Sequence, residues 1–275
     1  MWGVQMENFS IKHRIAEYGF KLRRHYEHCY QMVFIMRGKV NYLVGNKNYI
    51  VENGGVVLLN TLEDHSLEVL EYPYERIIVQ ISPAWFFQEI PYPGIISAFV
   101  KHDKEFSHLL KVEETEWKQL MNLLNVILEE SKSRKDYWQF AVGSNLRLLL
   151  INLKRTCPDT FSKEQNESSK IVLSILNYLY NHFTEDISVD TIAKEMHFNR
   201  HYISHIFKGE TGYSMMDYVI SLRVNMAKEL LIYTREKISD ISLKCGYTDF
   251  AYFARIFRKN TGVTPSAFRK ERKEF

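Results

Sequence analysis

Cysteine is scarce and scattered. Cys29, Cys157 and Cys245 form no CxxC pair. Three widely spaced thiols build no disulfide scaffold, and the expected setting is a reducing one, the cytoplasm. No long apolar run exists. The most hydrophobic stretch, around Leu146–Leu153, is broken by Arg147 and Asn152, well short of the roughly 20 residues that span a bilayer. The first twenty residues lack a basic segment followed by an apolar one, so no secretory signal and no membrane partner are expected. Neither GxxxxGK[ST] nor GxGxxG occurs, which removes the common phosphate-cradling loops. Charge of one sign is also lacking: 36 Lys and Arg face 33 Asp and Glu, a net +3. That balance names no partner, so the distribution of charge carries more than its total.

What is present suits a folded chain of 275 residues, 45% hydrophobic and 25% charged. That length suggests two domains and supports a core without staples. The first part reads as β. QMVFIM, KVNYLV, NYIV and GVVLLN follow one another between residues 30 and 60, separated by Arg37-Gly38, Gly45-Asn46 and Asn53-Gly54-Gly55. Short strands between such turns predict an antiparallel barrel over residues 1–113. A further strand, Arg76–Ile81, ends at Ser82-Pro83.

From Glu114 the apolar period changes to three and four. Trp117, Leu120, Met121, Leu124, Ile127 and Leu128 predict one helix. Trp138, Val142, Leu146, Leu149, Leu150 and Leu153 predict a second. Phe140, Leu148 and Ile151 make the second helix apolar on another side as well. A helix apolar over so much of its surface is contacted from two directions. Residues 114–155 are therefore expected to form a helical pair that covers the barrel and makes a homodimer. Residues 156–169, a polar stretch without period, are expected to be a linker. Beyond it, residues 170–275 carry 16 Lys and Arg against 12 Asp and Glu, a mild basic excess that favours an anionic partner.

The clearest signal is internal repetition. Ile203-Ser204-His205-Ile206-Phe207-Lys208 precedes Glu210-Thr211-Gly212. Fifty residues on, Phe253-Ala254-Arg255-Ile256-Phe257-Arg258 precedes Asn260-Thr261-Gly262. Tyr218 matches Phe268 at the same offset. Ile192-Ala193 matches Ile241-Ser242, and Phe198 matches Tyr247, at an offset of 49, so one residue is inserted at the second turn. Each copy reads helix, tight turn, helix. Asn199 is placed to cap the second helix of the first copy. His201, Ser204, His205 and Lys208 then share one outward face, while Ile203, Ile206 and Phe207 turn inward. Ala251, Ala254, Arg255 and Arg258 form the corresponding face of the second copy. A long amphipathic helix, about Ser214–Tyr233, joins the copies. About twenty residues of helix span roughly 30 Å, close to one turn of B-DNA. One such helix pair could equally be a packed bundle. The duplication, the rigid connector and the basic excess together point to two helix-turn-helix units on double-stranded DNA.

The residues that carry this pattern also resemble a known family. Ile192-Ala193, FKGETG at 207–212, SLRVNMAKELL at 221–231, Ile238–Ile241, Cys245-Gly246-Tyr247 and FARIFRKNTGVTPSAFR at 253–269 resemble the AraC/XylS transcriptional regulators. Ser242 stands where that family usually has Ala, and His197 where a Gly is frequent. The resemblance implies base contacts from Arg200, His201, Ser204 and His205, and from Phe250, Ala251, Ala254 and Arg255. Arginine can pair with guanine O6 and N7, whereas alanine offers only apolar contact to a thymine methyl. The second unit is thus expected to read few bases, chiefly through Arg255. Lys208, Lys228 and Arg258 suit phosphates, and the charge run Arg269 to Lys273 suits a solvated tail. RNA polymerase is a further possible partner of such a regulator.

The β half resembles the cupin barrels. Metal cupins place His, His, Glu and a later His where this chain has His25, Glu27, Gln31 and His65. Gln is a poor substitute for a carboxylate ligand, so no metal and no cofactor are expected, although His28 could supply a ligand if the register slipped. The barrel is instead expected to hold a small effector, a sugar or related metabolite, through His25, Tyr30, Tyr42 and His65. The expected architecture is α+β: a cupin-like barrel with a helical pair, then an all-α domain with two helix-turn-helix units. The expected function is an effector-responsive DNA-binding regulator without enzymatic activity. The alternative is a metal-dependent cupin enzyme with a helical appendage.

Overall fold

Alternating and β-branched residues build seven strands in the first part of the chain. These are β1 (Phe9–Ala16), β2 (Lys21–His25), β3 (Tyr30–Val44), β4 (Lys47–Val51), β5 (Gly55–Leu59), β6 (His65–Ile81) and β7 (Leu109–Lys111). The computed structural model describes residues 9–25, 27, 29–61, 63–90, 92–100, 106–161 and 167–272. The sheet runs β1-β6-β3-β5-β7, with β2 on β6 and β4 on β3. Every pairing is antiparallel.

Two long strands do most of the pairing, and here the sequence-based expectation is corrected. Arg37-Gly38 is not a turn between two strands. It is a bulge inside β3, where the register with β6 shifts between Ile35 and Val40. Gly38 has φ 85°, and a Cβ there would lie 2.6 Å from the carbonyl oxygens of Glu71 and Pro73. The bulge bends the ribbon so that both halves of β3 face one core. Gly45-Asn46 does form the expected hairpin between Val44 and Lys47.

Two apolar layers result from the alternation along β3. Val33, Ile35, Val40, Tyr42 and Val44 enter a core with Val57, Leu59, Leu67 and Tyr74. The opposite face is covered by helices α1 (Pro83–Glu89), α2 (Pro93–Val100), α3 (Glu114–Ser133) and α4 (Trp138–Thr156). Tyr30 packs on Phe86 and Phe99, with ring centroids 5.0 and 5.5 Å away. Phe34 meets Trp117 of α3 at 6.2 Å. Leu120, Leu124 and Ile127 of α3 and Val142, Leu146, Leu149 and Leu153 of α4 are buried, as their spacing predicts. Phe140 and Leu148 stay exposed, and Ile151 is half-buried.

The chain divides into two compact units, Met1–Lys170 and Ile171–Phe275. The segment expected as a linker is shorter than its polar composition suggests. Phe161 is buried, residues 162–166 lie outside the described residues, and α5 (Glu167–His182) starts before the segment ends. The C-terminal unit continues with α6 (Val189–Glu195), α7 (Arg200–Thr211), α8 (Met215–Tyr233), α9 (Ile238–Lys244), α10 (Phe250–Thr261) and α11 (Pro265–Arg272). Among the described residues, no helix is long and apolar enough to cross a membrane.

Candidate nucleic-acid interface and effector site

The two helix-turn-helix copies agree down to individual hydrogen bonds. After α6, the backbone N–H groups of His197 and Phe198 donate to Lys194 and Ala193 carbonyls at 3.2 and 3.0 Å. After α9, Gly246 and Tyr247 donate to Leu243 and Ser242, both at 3.0 Å. His197 and Gly246 take left-handed φ values of 57° and 82°. The departure from Gly at His197 therefore leaves the turn intact. Asn199 accepts from the N–H groups of His201 and Tyr202, and Asp249 does the same for Ala251 and Tyr252. Each cap satisfies two orphan donors and sets the entry angle of the following helix. At the far ends, Gly212 and Gly262 close α7 and α10 in the left-handed region, while the Thr211 and Thr261 hydroxyls donate to the Phe207 and Phe257 carbonyls.

The outward faces match the sequence reading. On α7, Arg200, His201, His205 and Lys208 are exposed and Ser204 is half-buried, above buried Ile203, Ile206 and Phe207. On α10, Phe250, Ala251, Arg255 and Arg258 are exposed and Ala254 is half-buried, above Phe253 and Phe257. The Arg255 guanidinium lies 5.4 Å from the Tyr252 ring centroid. No carboxylate among the described residues pairs with Arg255 or Arg258. With Lys259, they border a concave surface that runs to Gly262 and Thr264.

Arg200 differs. Its Nη1 donates to both carboxylate oxygens of Asp190, at 3.1 and 2.9 Å. The pair engages Nη1 alone, leaving Nε and Nη2 to donate elsewhere, and sets a negative charge beside the start of α7. The sequence reading missed Asp190. Its only signal was an acid in the first turn of α6, which suits a helix N-terminus equally well.

The proposed effector residues separate into two places. His25 and His65 face each other across β2 and β6, with ring centroids 4.2 Å apart. Tyr42 and Val44 pair with Leu67 and His65, so Tyr42 and His65 share the inner face. The Tyr42 and Tyr74 hydroxyls are 3.2 Å apart within the apolar core, and burial pushes the Tyr42 phenol up to about 12. Tyr30 does not join this group. It points into the helical layer instead, because it sits on the opposite side of the pleat from Tyr42. Of the cupin-type set, His25 Nε2 lies 3.4 Å from the Glu27 carboxylate, and the Gln31 amide donates to Cys29 Sγ at 3.9 Å. Among the described residues, no group of three or more His, Cys, Asp or Glu assembles to hold a metal. His28 lies outside the described residues. Gln31 offers a neutral amide, turned to Cys29, where a metal site of this type needs an anionic carboxylate.

His65 gives a pH prediction. Burial first, and His25 second, push its imidazole from 6.5 down to about 4. Above pH 6.5 the ring is neutral in folded and unfolded chains, so the shift costs nothing. Between 6.5 and 4 only the unfolded chain takes the proton. The N-terminal unit is expected to lose about 1.4 kcal/mol per pH unit in that window. Urea unfolding at pH 7 and pH 5 should register a loss of about 2 kcal/mol from this residue. His65→Phe should remove that part of the slope; an unchanged slope would place the titration elsewhere.

A unit built on one antiparallel sheet and a unit with two helix-turn-helix copies define a class: one-chain proteins that join a sheet domain to a doubled helix-turn-helix domain. Comparison with known proteins agrees. A model of the AraC-like ligand binding domain matches residues 11–124, and a model of a helix-turn-helix domain matches residues 192–271. The chain belongs to the AraC/XylS family of transcriptional regulators. It is 29% identical over 184 residues to an uncharacterized HTH-type transcriptional regulator of Bacillus subtilis, YtdP, covering 65% of this chain and 22% of that protein. It is 24% identical over 244 residues to the Msm operon regulatory protein of Streptococcus mutans, covering 88% and 84%. The crystal structure of ToxT from Vibrio cholerae superposes with a TM-score of 0.58 at 16% identity, covering 96% and 98%, a likeness of fold. The chain spans from about a fifth to about half of the length of the first curated relatives it matches.

Proposed function

We propose that the chain is a sequence-specific DNA-binding transcriptional regulator, and not an enzyme, whose N-terminal unit responds to a small molecule. The observation that carries this reading is the paired geometry of α7 and α10. Two helices with matching caps and buried faces each present basic or polar side chains outward. Arg255 reads sequence, with Phe250, Ala251 and Ala254 offering apolar contact. His201, Ser204 and His205 read the other half-site. Lys208 and Arg258 hold phosphates. Asp190 keeps a negative charge beside Arg200. The protein acts in the cytoplasm. Its effector, a sugar or related metabolite, is met by His25, Tyr42 and His65.

The test is binding of the full chain to double-stranded DNA selected from a random pool. Affinity should fall about a hundredfold between 50 and 200 mM salt if four phosphates are neutralised. Arg255→Ala should cost about 1–3 kcal/mol and relax one base position, while Lys208→Ala weakens all sequences alike. Asp190→Ala should tighten binding to every sequence, because it removes a negative charge beside the start of α7. A folded chain that selects no sequence would overturn the reading.

The exposed apolar side of α3 and α4 supports a homodimer. Val126 and Leu148 are 46 and 49% exposed. Leu148→Glu should then convert a dimer to a monomer in light scattering. A wild-type chain that is monomeric at micromolar concentration would exclude this assembly.

A further inference from the structure

The N-terminal unit holds a further feature outside its packed core. It is a cleft of about 340 Å³ between α1, the start of α4 and the start of β1. Its walls are aromatic: Phe9, Trp85, Trp138 and Phe140. The Phe9 ring stands edge-on to Trp85 and Trp138, with centroids 6.1 and 6.0 Å away and interplanar angles of 79° and 85°. Gly143 lies beside Trp85, and a Cβ there would come within 3.3 Å of the indole. The absence of a side chain on this turn of α4 keeps the cleft open. Phe140, at the rim, is 75% exposed.

The polar groups converge from two helices. Arg147 of α4 pairs with the Glu89 carboxylate of α1, and its Nε donates to the Glu89 carbonyl at 3.3 Å. Its guanidinium also lies 5.7 Å from the Trp85 ring centroid. The pair sets a fixed acceptor beside a fixed donor, and its charges cancel. A charged ligand would have to displace one partner and leave the other uncompensated. A neutral ligand can bridge the pair without breaking it. Two adjacent hydroxyls meet that demand, since each both donates and accepts. Aromatic walls favour a ligand with an apolar C–H face, and the volume lies at the small end of ligand pockets.

We propose that this cleft binds a neutral cyclic polyol, with its C–H face against Trp138 and Phe140 and two vicinal hydroxyls on Glu89 and Arg147. The site needs no residue of the barrel interior and none of the DNA-binding unit.

The experiment titrates the full chain with methyl α-D-glucopyranoside, methyl α-D-galactopyranoside and methyl α-D-mannopyranoside, followed by saturation-transfer NMR and calorimetry. At least one should bind. Trp138→Ala and Arg147→Gln should each weaken that binding tenfold or more, while Tyr42→Phe leaves it within twofold. Gluconate and glucosamine should bind at least tenfold more weakly than the neutral glycoside. Circular dichroism checks that each variant is folded. Glu89→Gln, a half-exposed change, replaces any that is not. The proposal is overturned if no neutral glycoside binds, if binding survives both cleft variants, or if Tyr42→Phe abolishes it. It is also overturned if the charged probes bind better, or if Phe140→Ser dissociates a dimer while no glycoside binds, which would assign the cleft to a second copy. Sequence-selective DNA binding is measured on the same samples. Its loss would sink the regulator reading and leave the cleft standing.

Discussion

Replacing Gly246 by alanine is expected to destabilise the C-terminal unit by about 3 kcal/mol or more, from a left-handed residue gaining a side chain and a clash with backbone. Gly246 has φ 82°, and a Cβ would lie 2.4 Å from the Thr184 carbonyl oxygen and 2.9 Å from its Cα. Neither atom is the end of a flexible side chain, so the turn or the segment after α5 must move. Its counterpart in the first copy behaves differently. His197 already carries a side chain at φ 57°, so the local backbone tolerates one there. His197→Gly should therefore change stability by less than about 1 kcal/mol, relief of strain offsetting a more disordered unfolded chain. Urea unfolding of the two variants decides the matter. A Gly246→Ala protein as stable as wild type would mean that the close approach to Thr184 is not maintained in solution.

Phe257→Ala is expected to cost about 3–5 kcal/mol, in the range for a large aromatic removed from a packed core. Phe257 has no exposed surface and packs among Val224, Leu231, Ile241 and Phe253. Its ring meets Phe268 edge-on, with centroids 5.5 Å apart and an angle of 80°. Phe207 holds the same place in the first copy, with its ring 5.9 Å from Tyr218 at 86°. Phe207→Ala should thus produce a loss of similar size, and Phe257→Leu only part of it. In both copies the aromatic pair ties the second helix of the unit, α7 or α10, to the helix that follows it. Denaturation at equilibrium measures the loss. A cost below about 1 kcal/mol for Phe257→Ala would mean that the neighbouring side chains collapse into the gap.

Much of the C-terminal unit was legible in the chain itself. The offset of 50 between Ile203–Gly212 and Phe253–Gly262 reappears as matching caps, matching glycine stops and matching aromatic contacts. Asn199 was recognisable as a cap because capping uses atoms within three residues of each other. The start of α5 inside a polar segment was not legible. Glu167, Ser168 and Ser169 look like linker, and only the buried Ile171, Val172 and Ile175 that follow draw the helix back over them. The pairing of Asp190 with Arg200 escaped because it joins two helices across a turn.

In the N-terminal unit the residues of β3 to β5 and the helices α3 and α4 were legible; β1, β2, the full length of β6, read only as Arg76–Ile81, and the helices α1 and α2 inside the stretch read as barrel were not. Alternation marked β3, yet Gly38 reads the same in a turn and in a bulge. The close carbonyls of Glu71 and Pro73, more than thirty residues away in the chain, make it a bulge. Tyr30 and Tyr42 looked alike as polar aromatics on β strands. Their sides of the sheet depend on that bulge and on which layer covers each face. The cleft formed by Phe9, Trp85, Trp138 and Arg147 left no mark in the sequence, since its walls come from three separate segments. Helix periods, caps, glycine stops and the duplication were thus readable from the residues alone, because they follow from bonds and contacts between near neighbours. The inward face of β3 and the aromatic cleft came from the folded chain, because each depends on atoms that only long-range packing brings together, and the partner of Arg200 came from it because the angle between α6 and α7 sets that pair.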